Sequence, residues 1–213
     1  AAASRGRQAD RRLPWHRDAA PLAELASPPL GRWLPAILED SSNWHAGMLL
    51  RVLAAEKTGA GRLGDGLELV AAFLEEEVGL SPKTFALDDA SGISPLNLWT
   101  PRSLAALLLW SWEQPWRGAL TGSLAAPGRG TLEGWRRLGP AASLPANLVA
   151  KTGTARHTDA LAGYLLAPPG GAESPLVFAC LLNQNLETHA AGRRRLAAEV
   201  RGLARLPRGR TPP

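Results

Sequence analysis

The chain predicts an α+β fold, on three observations. Apolar residues recur at helical spacing through most of the stretch from about 44 to 114. Three short apolar runs follow one another between 147 and 183. A last amphipathic stretch closes the sequence. Helices first, then clustered strands and a helix, describe α+β rather than an alternating βαβ order. An apolar share of 45% is enough to build a core and excludes disorder throughout. No apolar run approaches the ~18–20 residues of a membrane-spanning helix. No internal repeat is visible.

Taken in order, residues 1–20 read as a polar, irregular arm. Pro21 to Pro35 is broken by Pro28, Pro29 and Gly31, so it is expected to be extended or looped. A first helix is predicted from about Trp44 to Ala55, with Met48, Leu49, Val52 and Leu53 on its apolar side and Ser42 or Asn43 as cap. Gly59 to Gly66 reads as a glycine-rich connection. A second helix is predicted from Leu67 to Val78, stopped by Gly79. Thr100-Pro101 opens a third, with Thr as cap and Pro in the first turn, ending before Pro115. Gly118 to Pro145 reads as loop and turn. Strands are predicted at 147–154, 160–167 and 176–183, the last two forming an antiparallel hairpin around Pro168-Pro169-Gly170-Gly171. A final helix is predicted from Thr188 to Leu203.

Charge is unevenly spread. Residues 1–20 carry a net +3, residues 193–213 a net +6, and the body between them −4. Basic ends suit nucleic acid or an anionic surface. Here arginine is a compositional habit, because only three lysines stand beside 21 arginines. Aromatics do not interleave with the basic residues as a base-stacking platform requires, so nucleic acid is not expected as a partner. One cysteine, Cys180, excludes an internal disulfide framework and a multi-cysteine zinc cluster. Its run Leu176–Leu182 is apolar, which makes it a small buried hydrophobe.

Three segments carry candidate chemistry. Ser41-Ser42-Asn43 precedes a predicted helix, where Ser and Asn are ordinary caps. Lys151-Thr152-Gly153 ends an apolar strand. An ammonium there can hold an anionic group, the hydroxyl can bind a carboxylate, and the glycine leaves room for a ligand backbone. A second Lys-Thr-Gly at 57–59 follows a helix and leads into Ala60-Gly61, so it reads as a helix end. Asp88 to Asn97 mixes Asp, Ser, Gly and Asn and reads as a turn.

The ordered set resembles the D-alanyl-D-alanine carboxypeptidase/endopeptidase branch of the penicillin-binding proteins, specifically its C-terminal part. Ser41-Ser42-Asn43 before Met48-Leu49-Leu50-Arg51 resembles the second family motif. Asp89-Ala90-Ser91-Gly92-Ile93-Ser94-Pro95-Leu96-Asn97, followed by Thr100-Pro101-Arg102, resembles a segment typical of that branch. Ala150-Lys151-Thr152-Gly153-Thr154, then Ala160–Tyr164, resembles the third motif strand and its neighbour. The resemblance covers roughly residues 38–185. It implies an incomplete fold of the serine β-lactamase/penicillin-binding type, with a helical subdomain, C-terminal antiparallel strands and a final helix.

By that resemblance Ser41 relays a proton to the leaving amine, and Asn43 hydrogen-bonds substrate or the base. Lys151 holds Ser41, and Thr152 binds the terminal carboxylate. Gly153 leaves room for substrate, and the Thr154 N–H is one oxyanion donor. The implied substrate is a peptidoglycan stem peptide ending in D-Ala-D-Ala. β-Lactams would acylate the full-length protein, and no cofactor or metal is implied. The implied location is periplasmic or extracytoplasmic, although the sequence shows no signal peptide. The expected layout is a basic arm at 1–20, a partial peptidase domain at 21–192 and a basic helix end and tail at 193–213.

The family nucleophile belongs to a Ser-x-x-Lys motif. No serine of these 213 residues has a lysine three positions on. The missing motif, the first residue Ala1 and the lack of a leader lead to the expectation of a C-terminal piece of a longer secreted enzyme. The alternatives are a degenerate homologue that binds wall peptides without cleaving them and, ranked below it, a basic-tailed protein that binds nucleic acid or a membrane surface.

Overall fold

The structure is a computed structural model, and it describes residues 23–167 and 174–206. The basic arm at 1–20, the Pro168–Gly171 loop and the end of the chain from 207 lie outside the described residues.

The first described stretch is less extended than expected. A 3-10 turn at Leu30–Arg32 leads into helix α1, Leu34–Leu38. Pro35 sits in the first turn of α1, where its missing N–H has no intrahelical partner to lose. Helix α2 runs Asn43–Thr58, longer than predicted at both ends. Ser42 caps it, accepting from the His45 N–H at 3.5 Å, and Gly59 closes it in the left-handed region at φ 74°. Lys57 and Thr58 therefore form the exposed C-terminal turn of a helix, as expected of that Lys-Thr-Gly copy.

Helix α3 departs most from prediction. It spans Leu63–Glu76, four residues ahead of the apolar pattern at its start. Gly64 and Gly66, read from the sequence as a connection, lie inside it. Gly66 is there for packing: a Cβ on it would sit 2.7 Å from Leu50 Cγ and 3.0 Å from the Leu50 carbonyl oxygen. Helices α2 and α3 thus approach through a position that tolerates no side chain. The chain then turns at Gly79, φ 76°, and the Leu80 N–H closes the helix end on the Leu74 carbonyl at 2.9 Å.

Two-residue strands β1, Phe85–Ala86, and β2, Leu98–Trp99, clamp the base of the 88–97 turn. The turn is organised by one carboxylate. Asp89 accepts from the N–H groups of Gly92 and Ser94, the Ser91 hydroxyl and the Asn97 amide. These bonds hold its carboxyl below the usual range against an opposing burial effect. Helix α4, Pro101–Glu113, begins with a reciprocal capping box between Thr100 and Ser103.

The 118–145 region is more ordered than expected. It holds helix α5, Arg117–Ser123, and 3-10 turns at Gly130–Leu138 and Pro140–Ala142. Leu132 and Trp135, three apart, fall on one edge of the 3-10 turn and are buried. Its glycines and prolines punctuate the segment without stopping it from lining the core.

Strands β3 (Leu148–Ala155), β4 (Thr158–Leu165) and β5 (Leu176–Leu182) form an antiparallel sheet in that order, with Lys151 opposite Ala162. Helix α6, His189–Leu203, covers one face through Leu196, Ala197 and Val200. Its core partners include Leu148, Ala150, Leu161, Leu165 and Phe178. On the other face Tyr164 is fully buried, donates to the Leu108 carbonyl of α4 at 2.7 Å, and packs on Trp112. Burial pushes its hydroxyl pKa up to about 12. Cys180 is half-buried against the core, and burial raises its thiol pKa. All seven residues of β5 are apolar, yet six are only half-buried, and no described strand pairs with its outer edge. An apolar edge of this kind invites association.

Gly163 sets how closely β3 and β4 lie. A Cβ there would meet the Val149 carbonyl oxygen, Ala150 Cα at 2.6 Å and Ala150 Cβ at 2.9 Å. Backbone atoms cannot swing aside. Gly163→Ala is therefore expected to lower unfolding free energy by at least about 2 kcal/mol, the scale of an overpacked core. Urea denaturation of the 213-residue chain checks this. A change within about 0.5 kcal/mol, typical of a surface site, contradicts the packing account.

Candidate active site

The site forms where the edge of β3 meets the start of α2. Along β3, Leu148 and Ala150 point into the core, so alternation turns Lys151 and Gly153 to the opposite face. The Ala150 N–H donates to Ala125 O at 2.9 Å, which covers that point of the outer edge. From Lys151 to Thr154 no described strand covers the same edge.

Lys151 is half-buried. Its Nζ donates to Ser41 Oγ at 2.7 Å and to its neighbour's carbonyl, Thr152 O, at 2.8 Å. Ser41 and Lys151 are 110 positions apart, so the fold makes this contact and not the local chain. Burial pushes the Lys151 pKa down. Both partners are neutral oxygens, so no carboxylate offsets that effect.

Ser41 reaches the lysine because its backbone is left-handed, φ 59°. That region is unfavourable for a residue with a Cβ and persists where surroundings enforce it. The surroundings are visible. Arg129 pairs with Glu39 at 2.8 Å, and the Thr131 N–H donates to Glu39 O at 3.1 Å. Gly130, φ 59°, lies against Glu39 so closely that a Cβ would sit 2.7 Å from its carbonyl oxygen. On the other side the Ser42 N–H donates to Ala36 O at 2.9 Å. Ser42 Oγ lies 2.7 Å from His45 Nδ1, and the His45 ring packs against Trp33 and Trp44.

The other sequence candidates are placed as follows. Asn43 is exposed at the first residue of α2, and neither hydrogen bond of Lys151 goes to it. Thr152 is half-buried, and its hydroxyl donates to Thr131 Oγ1 at 2.8 Å. Gly153 lies beside Ala160, whose Cβ would be 3.1 Å from an added Cβ. Thr154 is exposed. Sequence reasoning missed Glu39, Arg129 and Thr131. The Gly128-Arg129-Gly130-Thr131 run is the available signal, and its residue types point only to a turn.

Comparison with known proteins decides the lineage. The D-Ala-D-Ala carboxypeptidase 3 (S13) family pattern matches residues 11–205. The chain belongs to that family. A D-alanyl-D-alanine carboxypeptidase of Actinomadura sp. (strain R39) is 34% identical over 160 residues, which are 72% of this chain and 29% of that protein. Penicillin-binding protein 4 of Haemophilus influenzae, solved with a β-lactam, superposes with a TM-score of 0.67 at 24% identity, over 82% of this chain and 42% of that one. A predatory endopeptidase of Bdellovibrio bacteriovorus, solved with an immunity protein, gives 0.63 at 20% identity, over 83% and 43%. The chain thus spans under a third of the curated relative and under half of these solved chains. Its α+β architecture is a partial form of the penicillin-binding fold. No described helix of this S13 member is long and apolar enough to cross a membrane.

The half-buried lysine has a pH signature. Its folded pKa is lower than its unfolded one, so the unfolded chain binds more protons between the two values. Stability contributed by this group therefore rises with pH across that window, and the penalty is fully present below the folded pKa. The Lys151 side chain is expected to titrate below about 10.4, the value of a free lysine, when followed by NMR at Cε. Lys151→Met should remove that part of the alkaline rise in stability. A midpoint at or above the free value contradicts the burial.

Proposed function

We propose that this chain supplies the Ser-x-Asn and Lys-Thr-Gly half of a D-Ala-D-Ala peptidase site acting on peptidoglycan stem peptides. The 2.7 Å contact between Lys151 and Ser41 carries this reading, because it couples two motifs that have no local reason to meet. In the reaction a serine oxygen attacks the carbonyl of the penultimate D-alanine. The C–N bond to the last D-alanine breaks, and that residue leaves with a proton. Water then hydrolyses the ester and frees the serine.

Within this scheme Ser41 is the proton relay to the leaving amine. Lys151 orients the Ser41 oxygen and places positive charge beside the substrate carboxylate. Because both its partners are neutral oxygens, that charge is left unneutralised for an anionic ligand. Thr152 takes the terminal carboxylate, and the uncovered edge of β3 leaves Gly153 and the Thr154 N–H open to a peptide backbone. Exposed Asn43 meets the substrate amide. The nucleophile and its base are contributed by a Ser-x-x-Lys that these 213 residues do not contain. The substrate puts the working protein outside the cytoplasm, and β-lactams are expected to acylate that protein through the same serine.

The absence of Ser-x-x-Lys also favours a second reading, a wall-peptide binder without turnover. Two measurements separate the outcomes. Titration of the labelled 213-residue chain with N-acetyl-D-Ala-D-Ala is expected to shift amide signals of 41–43 and 151–154, and the L,L isomer is expected to leave them in place. Equal response to both isomers, or none to either, overturns the substrate assignment. Mass spectrometry after penicillin treatment is expected to find the chain unmodified, since no activated nucleophile is present. A stoichiometric adduct on any serine would show that the nucleophile lies within this sequence.

A further inference from the structure

The Lys-Thr-Gly strand has a partner that neither sequence motif contains. We propose that Thr131 is a positioning residue for the substrate carboxylate, acting through Thr152. This rests on the peptidase reading above. It deepens that reading by assigning the control of the carboxylate subsite to a residue 21 positions away from it.

Thr131 is held in place at every level. Its N–H donates to Glu39 O at 3.1 Å. The residue before it, Gly130, leaves no room for a Cβ against Glu39. The residue after it, Leu132, is fully buried in the core, and Trp135 anchors the next turn at 3% exposure. Arg129 pairs with Glu39 and also donates to Leu124 O at 2.9 Å. The Thr131 hydroxyl therefore stands on a rigid support, half-buried, facing the Thr152 hydroxyl at 2.8 Å.

Hydroxyl chemistry then fixes what the pair can do. A threonine hydroxyl has one proton and two acceptor lone pairs. In the structure the Thr152 O–H donates to Thr131. A carboxylate carries no proton, so it can only accept. When it arrives, the Thr152 O–H must turn to it. The Thr131 O–H can then rotate and donate to a lone pair of the Thr152 oxygen. The pair exchanges roles, no hydrogen bond is lost, and a donor behind Thr152 polarises the O–H that meets the anion. The same bond fixes the Thr152 rotamer before the ligand arrives. Lys151 supplies charge to the anion, and Thr131 supplies direction through Thr152.

The test is a double-mutant cycle on binding of N-acetyl-D-Ala-D-Ala to the 213-residue chain, followed by NMR titration. Thr131→Val keeps the shape and removes the hydroxyl; it is expected to weaken binding by about 3–10-fold, the worth of one neutral hydrogen bond. Thr131→Ser is expected to restore wild-type affinity. In a Thr152→Val background, Thr131→Val is expected to have no further effect, because its route to the ligand is gone. Unchanged amide spectra away from 131 and 152 confirm the fold of each variant. Wild-type affinity in Thr131→Val, or a loss that adds in full to that of Thr152→Val, overturns the proposal and leaves the peptidase reading standing. Failure of the wild-type chain to bind the dipeptide overturns the peptidase reading, and this inference falls with it.

Discussion

A half-buried ammonium whose partners among the described residues are neutral oxygens is the constraint around which this site is built. Lys151 occupies an edge strand whose core-facing neighbours, Leu148 and Ala150, are fully buried. Desolvation works against its charge. What holds it is geometric: one hydroxyl oxygen from across the fold and one carbonyl from its own strand, at 2.7 and 2.8 Å. An ammonium has three protons, so two such bonds leave donor capacity for a ligand. A carboxylate partner beside Lys151 would relieve the desolvation cost of the charge and use that donor capacity.

Two features of the fold keep that contact. Left-handed Ser41 is locked by the run from Arg129 to Thr131 on one side and by α1 on the other. The strand bearing Lys151 is seated against β4 by Gly163, where nothing larger than hydrogen fits. Both supports end in the same core, through Leu132 and Trp135 for the first and Leu148 and Ala150 for the second.

Much of this was legible in the sequence, for identifiable reasons. The sheet strands announce themselves as apolar runs between turn residues, and α4 carries its start signal in Thr100-Pro101. The decoy Lys57-Thr58-Gly59 was separable from Lys151-Thr152-Gly153 because only the latter ends an apolar strand. What stayed hidden involves glycine and 3-10 structure. Gly64 and Gly66 look like a linker, yet they lie inside α3, and Gly66 packs on Leu50. The 118–145 stretch is full of breakers, yet its Leu132–Trp135 spacing fits a 3-10 turn lining the core. The clasp made by Glu39, Arg129 and Thr131 is long-range, and its one local trace is the Gly128-Arg129-Gly130-Thr131 run, which does not name its partner.

The central claim is that Lys151 and Ser41 are energetically coupled and not merely adjacent. The direct measurement is a double-mutant cycle on stability, comparing Ser41→Ala, Lys151→Met and the double variant by urea unfolding at neutral pH. The account predicts a coupling of about 1–3 kcal/mol, as for a hydrogen bond to a charged donor. Effects that add to within about 0.3 kcal/mol, as independent sites do, would contradict it.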